Sequence, residues 1–334
     1  MPEKVILDPH FRRLAEIFTP EDLERVHSMA DVVWGRDEPM PADELAAAKK
    51  DAVAIITGWW RHGSVKEFPK LRAILEVAGT LPPKDLVDYE DCLARGIRVL
   101  SCAPAFGPSV AEMALAMTLA AARDLVDGDA AIRAGAEQWQ KEGNANTFHL
   151  FDQTVGFIGF GGLARNLKPL LIPFRPRILV SDPWLTKSYL RTQGVEPVDL
   201  DTLLSQSKVI YVLAIPSKEN KALLGREELA RIQKGALLVL ISRSHLVDFD
   251  ALTEMLMEGR LRAAIDVFPT EPLPADHPIR RAPGTVLSAH RAGGVAGGYP
   301  GIGRMVANDL EAILAGLPPQ EMQSAAPEII RRRD

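Results

Sequence analysis

The chain has 334 residues, of which 47% are apolar and 25% charged, with a formal net charge of −5. This composition describes a folded globular protein large enough for two cores, not a disordered chain. It offers no basic field for nucleic acid, since the Arg331-Arg332-Arg333 run is too short to change the balance, and no apolar stretch near the roughly 20 residues of a membrane span.

Glu3, Lys4, Asp8 and His10 interrupt the segment where a secretory signal needs an apolar core. Cys92 and Cys102 lack metal-ligand spacing and read as two buried thiols. A reducing, cytoplasmic location and no metal site are the expectations.

From the N-terminus, short aliphatic runs alternate with helical patterns: Val5-Ile6-Leu7, residues 52–57, 73–78 and 97–102. Such alternation predicts a parallel sheet covered by helices. Residues 87–96 read as a crossover helix closed by Gly96. A long apolar helix is expected over residues 109–123, opened by Ser109 and Glu112 at capping-box spacing and buried in a core or a subunit interface. Further strands are expected at 154–159, 177–181, 208–215, 236–242, 263–267 and 285–289, all nearly continuous aliphatic runs. A last helix is expected over 303–315, ended by Gly316 and returning toward the first domain.

The fold class is therefore α/β. The strand at 154–159 runs into Gly159-Phe160-Gly161-Gly162-Leu163-Ala164, a G-x-G-x-x-A turn followed by a helix. Glycines at such a turn let the backbone approach a pyrophosphate, and the helix N-terminus donates N–H groups to it. Asp182 ends the next strand 18 residues after Ala164, where a carboxylate binds an adenosine ribose and repels a 2′-phosphate. NAD is favoured over NADP on that ground; a plain turn role before Pro183 is the alternative.

Three further residues stand directly after strand-like runs: Arg243, Glu271 and His290. Removing a hydride from a 2-hydroxy acid also removes its hydroxyl proton, so the site needs a base near neutrality, and His290 supplies one. Glu271 would orient the ring, and Arg243 would hold the substrate carboxylate. Singly, each reads as well as a structural ion pair, a surface acid or a core histidine; together, on strand ends of a nucleotide-binding sheet, they specify a site.

With these motifs the chain resembles the D-isomer-specific 2-hydroxyacid dehydrogenases. Pro69-Lys70-Leu71 to Thr80, Arg95-Gly96-Ile97, Ser109-Val110-Ala111-Glu112, the glycine loop, Gly235-Ala236, Asp266-Val267-Phe268, Glu271-Pro272-Leu273-Pro274 and His290 carry the likeness. It implies two Rossmann-like or flavodoxin-like domains. A central NAD-binding domain, residues 109–290, would be clasped by a discontinuous substrate domain, residues 1–108 plus 291–334, with a homodimer formed through the NAD domains.

By position, the resemblance implies that Arg243, Glu271 and His290 are catalytic. Gly159, Gly161, Gly162, Leu163, Asp182, Pro216, Ile241, Ser242, Asp266 and His290 would bind cofactor, with Asp266 on the nicotinamide carboxamide and Pro216 beside adenine. Trp59, Trp60, Thr80, Leu81 and Arg243 would meet a small 2-oxo or 2-hydroxy acid. A carboxylate at 271 is unlike the formate dehydrogenases of the same superfamily.

The chain also departs from the family. Where Ala-Gly-Thr-Gly and an aspartate are usual, Ala78-Gly79-Thr80 continues as Leu81-Pro82-Pro83-Lys84-Asp85, and prolines donate no N–H to a carboxylate. Lys84 or Arg61 could compensate. Of the adjacent Trp59 and Trp60, one is expected to face the site and one the core, which points to a bulky or apolar substrate tail. Ser244 replaces a usual glycine and Ala214 a frequent histidine. Two other readings remain: an NAD-sensing co-repressor-like protein, and a dehydrogenase of an unusual acid such as a phosphonate or sugar acid.

Overall fold

The computed structural model describes residues 2–332, so Met1 and Arg333 of the basic run lie outside the described residues. The chain divides into two compact units, Met1–Phe106 with Gly294–Asp334, and Gly107–Gly293. Each is an α/β unit built on a parallel sheet.

The first unit contributes β1 (Lys4–Asp8), β2 (Asp31–Trp34), β3 (Ala52–Thr57), β4 (Ala73–Glu76) and β5 (Arg98–Ser101). The second contributes β6 (Thr154–Ile158), β7 (Arg177–Ser181), β8 (Glu196–Pro197), β9 (Val209–Val212), β10 (Leu237–Leu240), β11 (Arg262–Ile265) and β12 (Thr285–Leu287). Back in the first unit, β13 (Gln323–Ser324) pairs antiparallel with β5. The sheet orders are β13-β5-β4-β3-β1-β2 and β12-β11-β10-β9-β6-β7-β8. In each the strand order reverses beside the unit's first strand, and ligands of open α/β sheets bind outside the carboxyl ends at such a switch point.

The central strands are buried on both faces, which is why they read as continuous aliphatic runs. They are shorter than those runs: β9 stops at Val212 and β10 at Leu240, and the residues after them form the loops at the carboxyl end. The crossover helix is Tyr89–Ala94, capped by the Asp88 side chain and closed by Gly96 at φ +72°.

Two helices differ from expectation. The long apolar helix spans Ala103–Ala122, so Ser109 is internal and caps nothing. Gly107-Pro108 reads as a breaker, yet the helix runs through it. At 20 residues it is long and apolar enough, by length and composition, to cross a membrane, although Ser109 and Glu112 interrupt its apolar run. Core helices pass the same test, and its Ala111, Ala114, Met117 and Ala121 pack in the second unit's core. The final helix is Pro300–Leu314, with Gly303 inside it: a Cβ there would lie 2.4 Å from the Ile17 carbonyl, so this glycine marks close packing, not a start. Cys92 and Cys102 are free and buried.

One buried group makes stability depend on pH. Glu76, at the end of β4, is 1% exposed. Burial pushes its carboxyl from 4.5 up to about 7, against two backbone N–H bonds that lower it. Because the folded value exceeds the unfolded one, folding favours the protonated form. The contribution is complete below about pH 4.5 and is lost as pH rises to about 7. Comparing denaturant unfolding of the wild type and Glu76→Gln at pH 5 and pH 8 tests this. The wild type should lose about 3 kcal/mol relative to the variant across that window; parallel pH profiles would contradict it.

Candidate active site

The glycine turn joins β6 to the helix Gly162–Leu171. Gly159 has φ +91°, and a Cβ there would lie 2.7 Å from the Ala214 Cα just beyond β9, so only glycine fits at this switch point. Gly161 and Gly162 differ: a Cβ on either would meet nothing within 4 Å. Their backbone faces open space at a helix N-terminus, a cradle that side chains would fill. The residues present thus suit a dinucleotide. Ala164, fully buried, holds the helix on the sheet.

Asp182, directly after β7, accepts from Phe160 N through Oδ2 and from Trp184 N through Oδ1, both at 2.8 Å. Its turn role and its tie to the glycine loop therefore coexist. Ser242 donates its hydroxyl to the Val212 carbonyl at 2.9 Å, bracing the ends of β9 and β10. Pro216 is half-buried beside the exposed Ile215. Leu163 packs against the core and Ile241 lies within it, so the part of Ile241 available to a cofactor is its backbone.

Arg243, Glu271 and His290 converge in the second unit. His290 Nδ1 lies 2.7 Å from Glu271 Oε2, while Glu271 Oε1 accepts from Phe268 N at 2.9 Å. Burial alone would raise the Glu271 carboxyl, but the His290 and Phe268 bonds, with the charges of His290 and Arg243, hold it below the ordinary glutamate value. Arg243, whose Nη1 donates to the Ser242 carbonyl at 2.7 Å, feels the opposing charge of Glu271 in turn. With Nδ1 committed to Glu271, the outer ring nitrogen of His290, Nε2, is left to face a reactant, and the side chain is 45% exposed.

The His290 backbone is left-handed, φ +51°, a conformation uncommon outside glycine. Asp266 fixes it. The Asp266 carbonyl accepts from His290 N at 2.8 Å, and its carboxylate, 1% exposed, accepts from Arg291 N and Ala292 N at 2.9 and 3.1 Å. Sequence reasoning gave this side chain to the nicotinamide; the structure occupies both its oxygens with the loop that carries the histidine.

The first unit sorts the remaining candidates. Trp59 is 61% exposed and Trp60 3% exposed, its indole N–H donating to the Gly63 carbonyl. Trp60 and Leu81 both pack in the core, which corrects their assignment as substrate contacts: a side chain turned into a core meets no ligand. Thr80 is exposed. The Pro82 carbonyl accepts from the Tyr89 hydroxyl at 2.6 Å, so the inserted prolines are tied to the domain. Arg61 is bound to the buried Asp8 at 2.6 Å and His62 to the same carboxylate at 3.1 Å, which removes Arg61 as a compensating donor. Missed by the sequence reading are Phe11, whose exposed ring lies 5.2 Å from that of Trp59, and Glu76. A carboxylate inside the apolar run 73–78 was the available signal for the latter.

Residues 115–292 match the family model of the D-isomer specific 2-hydroxyacid dehydrogenase NAD binding domain. A D-3-phosphoglycerate dehydrogenase of Mycobacterium leprae is 31% identical over 74% of this chain and 46% of its own length; the chain thus spans about half of such curated relatives. A glyoxylate reductase of Pyrococcus horikoshii is 30% identical over 86% of this chain and 87% of its own. The crystal structure of a phosphoglycerate oxidoreductase from Rhizobium etli superposes with a TM-score of 0.83 at 36% identity, covering 97% of this chain and 98% of that one. The chain belongs to the D-isomer specific 2-hydroxyacid dehydrogenase family.

Proposed function

We propose that the protein is an NAD(H)-dependent oxidoreductase that interconverts a 2-oxo acid and a D-2-hydroxy acid. The observation that carries this reading is the 2.7 Å contact between His290 Nδ1 and Glu271 Oε2, on loops of the same unit as the open glycine turn.

A reduced nicotinamide, when bound, supplies the hydride for C2. The chain does the rest: Arg243 holds the substrate carboxylate and polarises the carbonyl, and His290 gives the proton on Nε2 to the carbonyl oxygen. Glu271, held ionised, keeps Nδ1–H as the donor toward itself and stabilises the imidazolium before transfer. In the oxidative direction His290 takes the hydroxyl proton. Gly159, Gly161 and Gly162 admit the pyrophosphate, and Asp182 takes the adenosine ribose, which disfavours NADP. Phosphoglycerate and glyoxylate, named for its relatives, are both small acids. The exposed Trp59–Phe11 pair favours a substrate with a larger apolar tail.

The helix Leu125–Ala134 buries none of its residues and, with the segment after it, exposes Leu125, Val126, Ile132 and Trp139. Apolar side chains concentrated so closely fit a homodimer through the second unit; a monomeric mass in solution would overturn this. Two buried free thiols fit a reducing compartment such as the cytoplasm.

The test is oxidation of NADH and NADPH with a panel of 2-oxo acids. NADH should be preferred, branched or aromatic 2-oxo acids should exceed glyoxylate, and His290→Gln should lower kcat by about 10²- to 10⁴-fold. Arg243→Lys should cost roughly tenfold or more in kcat/KM, because an ammonium cannot reproduce the guanidinium fork. No turnover of any acid alongside intact NADH binding would leave an NAD-sensing protein and sink the enzyme reading; better turnover of glyoxylate would sink the apolar-tail assignment.

A further inference from the structure

The order β10-β9-β6-β7 puts the switch point of the second sheet between β9 and β6. A ligand in that crevice has the glycine turn after β6 on one side and the loop after β9 on the other. The two walls touch: a Cβ on Gly159 would lie 2.7 Å from the Cα of Ala214, the second residue beyond β9. The loop then exposes Ile215 and half-buries Pro216, an apolar face for a ring lying across the crevice.

Two side chains hold this loop in different ways. Asn220 shapes it from within: its Nδ2 donates to the Ile215 carbonyl at 2.8 Å, and its Oδ1 accepts from Ser217 N at 2.7 Å. His245 ties it to another strand end. His245 Nε2 lies 3.1 Å from the Ser217 carbonyl oxygen, and because a carbonyl only accepts, the ring carries a hydrogen on Nε2. Ser217 is 1% exposed, so water competes little for that carbonyl.

His245 is itself firmly seated. It belongs to the short turn Ser244–Leu246, directly after Arg243. Its backbone carbonyl accepts from Ala222 N at 2.9 Å, and the Leu246 carbonyl accepts from Leu224 N at 2.9 Å. Those main-chain bonds, with the parallel bridge between Leu224 and Val247, hold the turn without help from the imidazole. Loss of the ring should therefore free the loop over residues 213–221 and leave the turn behind Arg243 in place.

We propose that His245 is a positioning residue for the cofactor: by holding the Ser217 carbonyl it preforms the crevice wall opposite the glycine turn. This rests on the dehydrogenase reading, which puts a dinucleotide in that crevice. A wall already in place spares the ligand the entropy of ordering it on arrival. The residue acts through the loop and touches no reacting atom.

The experiment uses the full-length wild type, His245→Phe and His245→Gln. Phenylalanine keeps the bulk of the ring and removes the donor, whereas glutamine returns an N–H near the place of Nε2. For each protein NADH affinity is titrated by fluorescence, the KM of the 2-oxo acid is measured at saturating NADH, and amide exchange is followed over residues 213–221 without cofactor. Phenylalanine should raise the NADH Kd about threefold to tenfold, the range of one hydrogen bond, and speed exchange in the loop. Its acid KM should match the wild type, since the turn behind Arg243 is held separately. Glutamine should restore both affinity and protection. Should the phenylalanine variant not fold, His245→Ala, which needs no room for a ring, should give the same split.

Wild-type NADH affinity in the phenylalanine or alanine variant, glutamine behaving like phenylalanine, or an acid KM rising in step with the NADH Kd would each overturn the proposal. If the wild type binds NADH and reduces no acid, the reductase reading has failed, and the NADH affinities still decide the role of His245. A wild type that binds neither NADH nor NADPH would overturn both.

Discussion

The second unit depends on a buried carboxylate. Asp266 closes β11 and ties down the loop beyond β12, accepting from Arg291 N and Ala292 N with its side chain and from His290 N with its backbone carbonyl. Those bonds hold the histidine at φ +51°. With them, Nδ1 of His290 meets Glu271, and the loop that supplies Glu271 is itself folded back by the Phe268 N–H. Parallel strands make this possible: all point their carboxyl ends the same way, so residues separated by dozens of positions in the chain gather along one edge.

The two units solve a similar problem with similar means. In the second, Asp266 and Asp182 are acids at strand ends that bind loop amides, one supporting the histidine loop and the other the glycine turn. In the first, Asp8 binds Arg61 and His62, and Glu76 accepts from the Trp59 amide. Within the first unit the two acids differ in their partners. Asp8 lies against a guanidinium and an imidazole, whose bonds outweigh its burial and hold its carboxyl below the ordinary aspartate value, whereas Glu76 has only backbone donors and rises.

Much of this was legible in the sequence because parallel strands buried on both faces leave long aliphatic runs, and because a glycine turn and a strand-ending acid have fixed spacing. Strands β6 and β7 and the glycine turn lie where the pattern places them. Strand β2 left no comparable signal, being a four-residue edge strand that is only partly buried. The start of the helix Ala103–Ala122 was hidden by Gly107-Pro108, residues that usually end a helix. The division of labour between Trp59 and Trp60 was expected, but which one faces outward depends on a left-handed residue that no periodicity announces. Glu76 and Phe11 were invisible for a related reason: their roles arise from register across strands and from loop packing, both non-local.

In the proposed reaction Arg243 and His290 act on one small acid. A crystal structure of the protein with NADH and oxamate, an unreactive isostere of a 2-oxo acid, tests it most directly. The oxamate carboxylate should lie on the Arg243 guanidinium and its amide oxygen within hydrogen-bonding distance of His290 Nε2, about 3 Å, with the Glu271 contact to Nδ1 retained. Oxamate bound elsewhere, or His290 turned so that Nδ1 leaves Glu271, would contradict it.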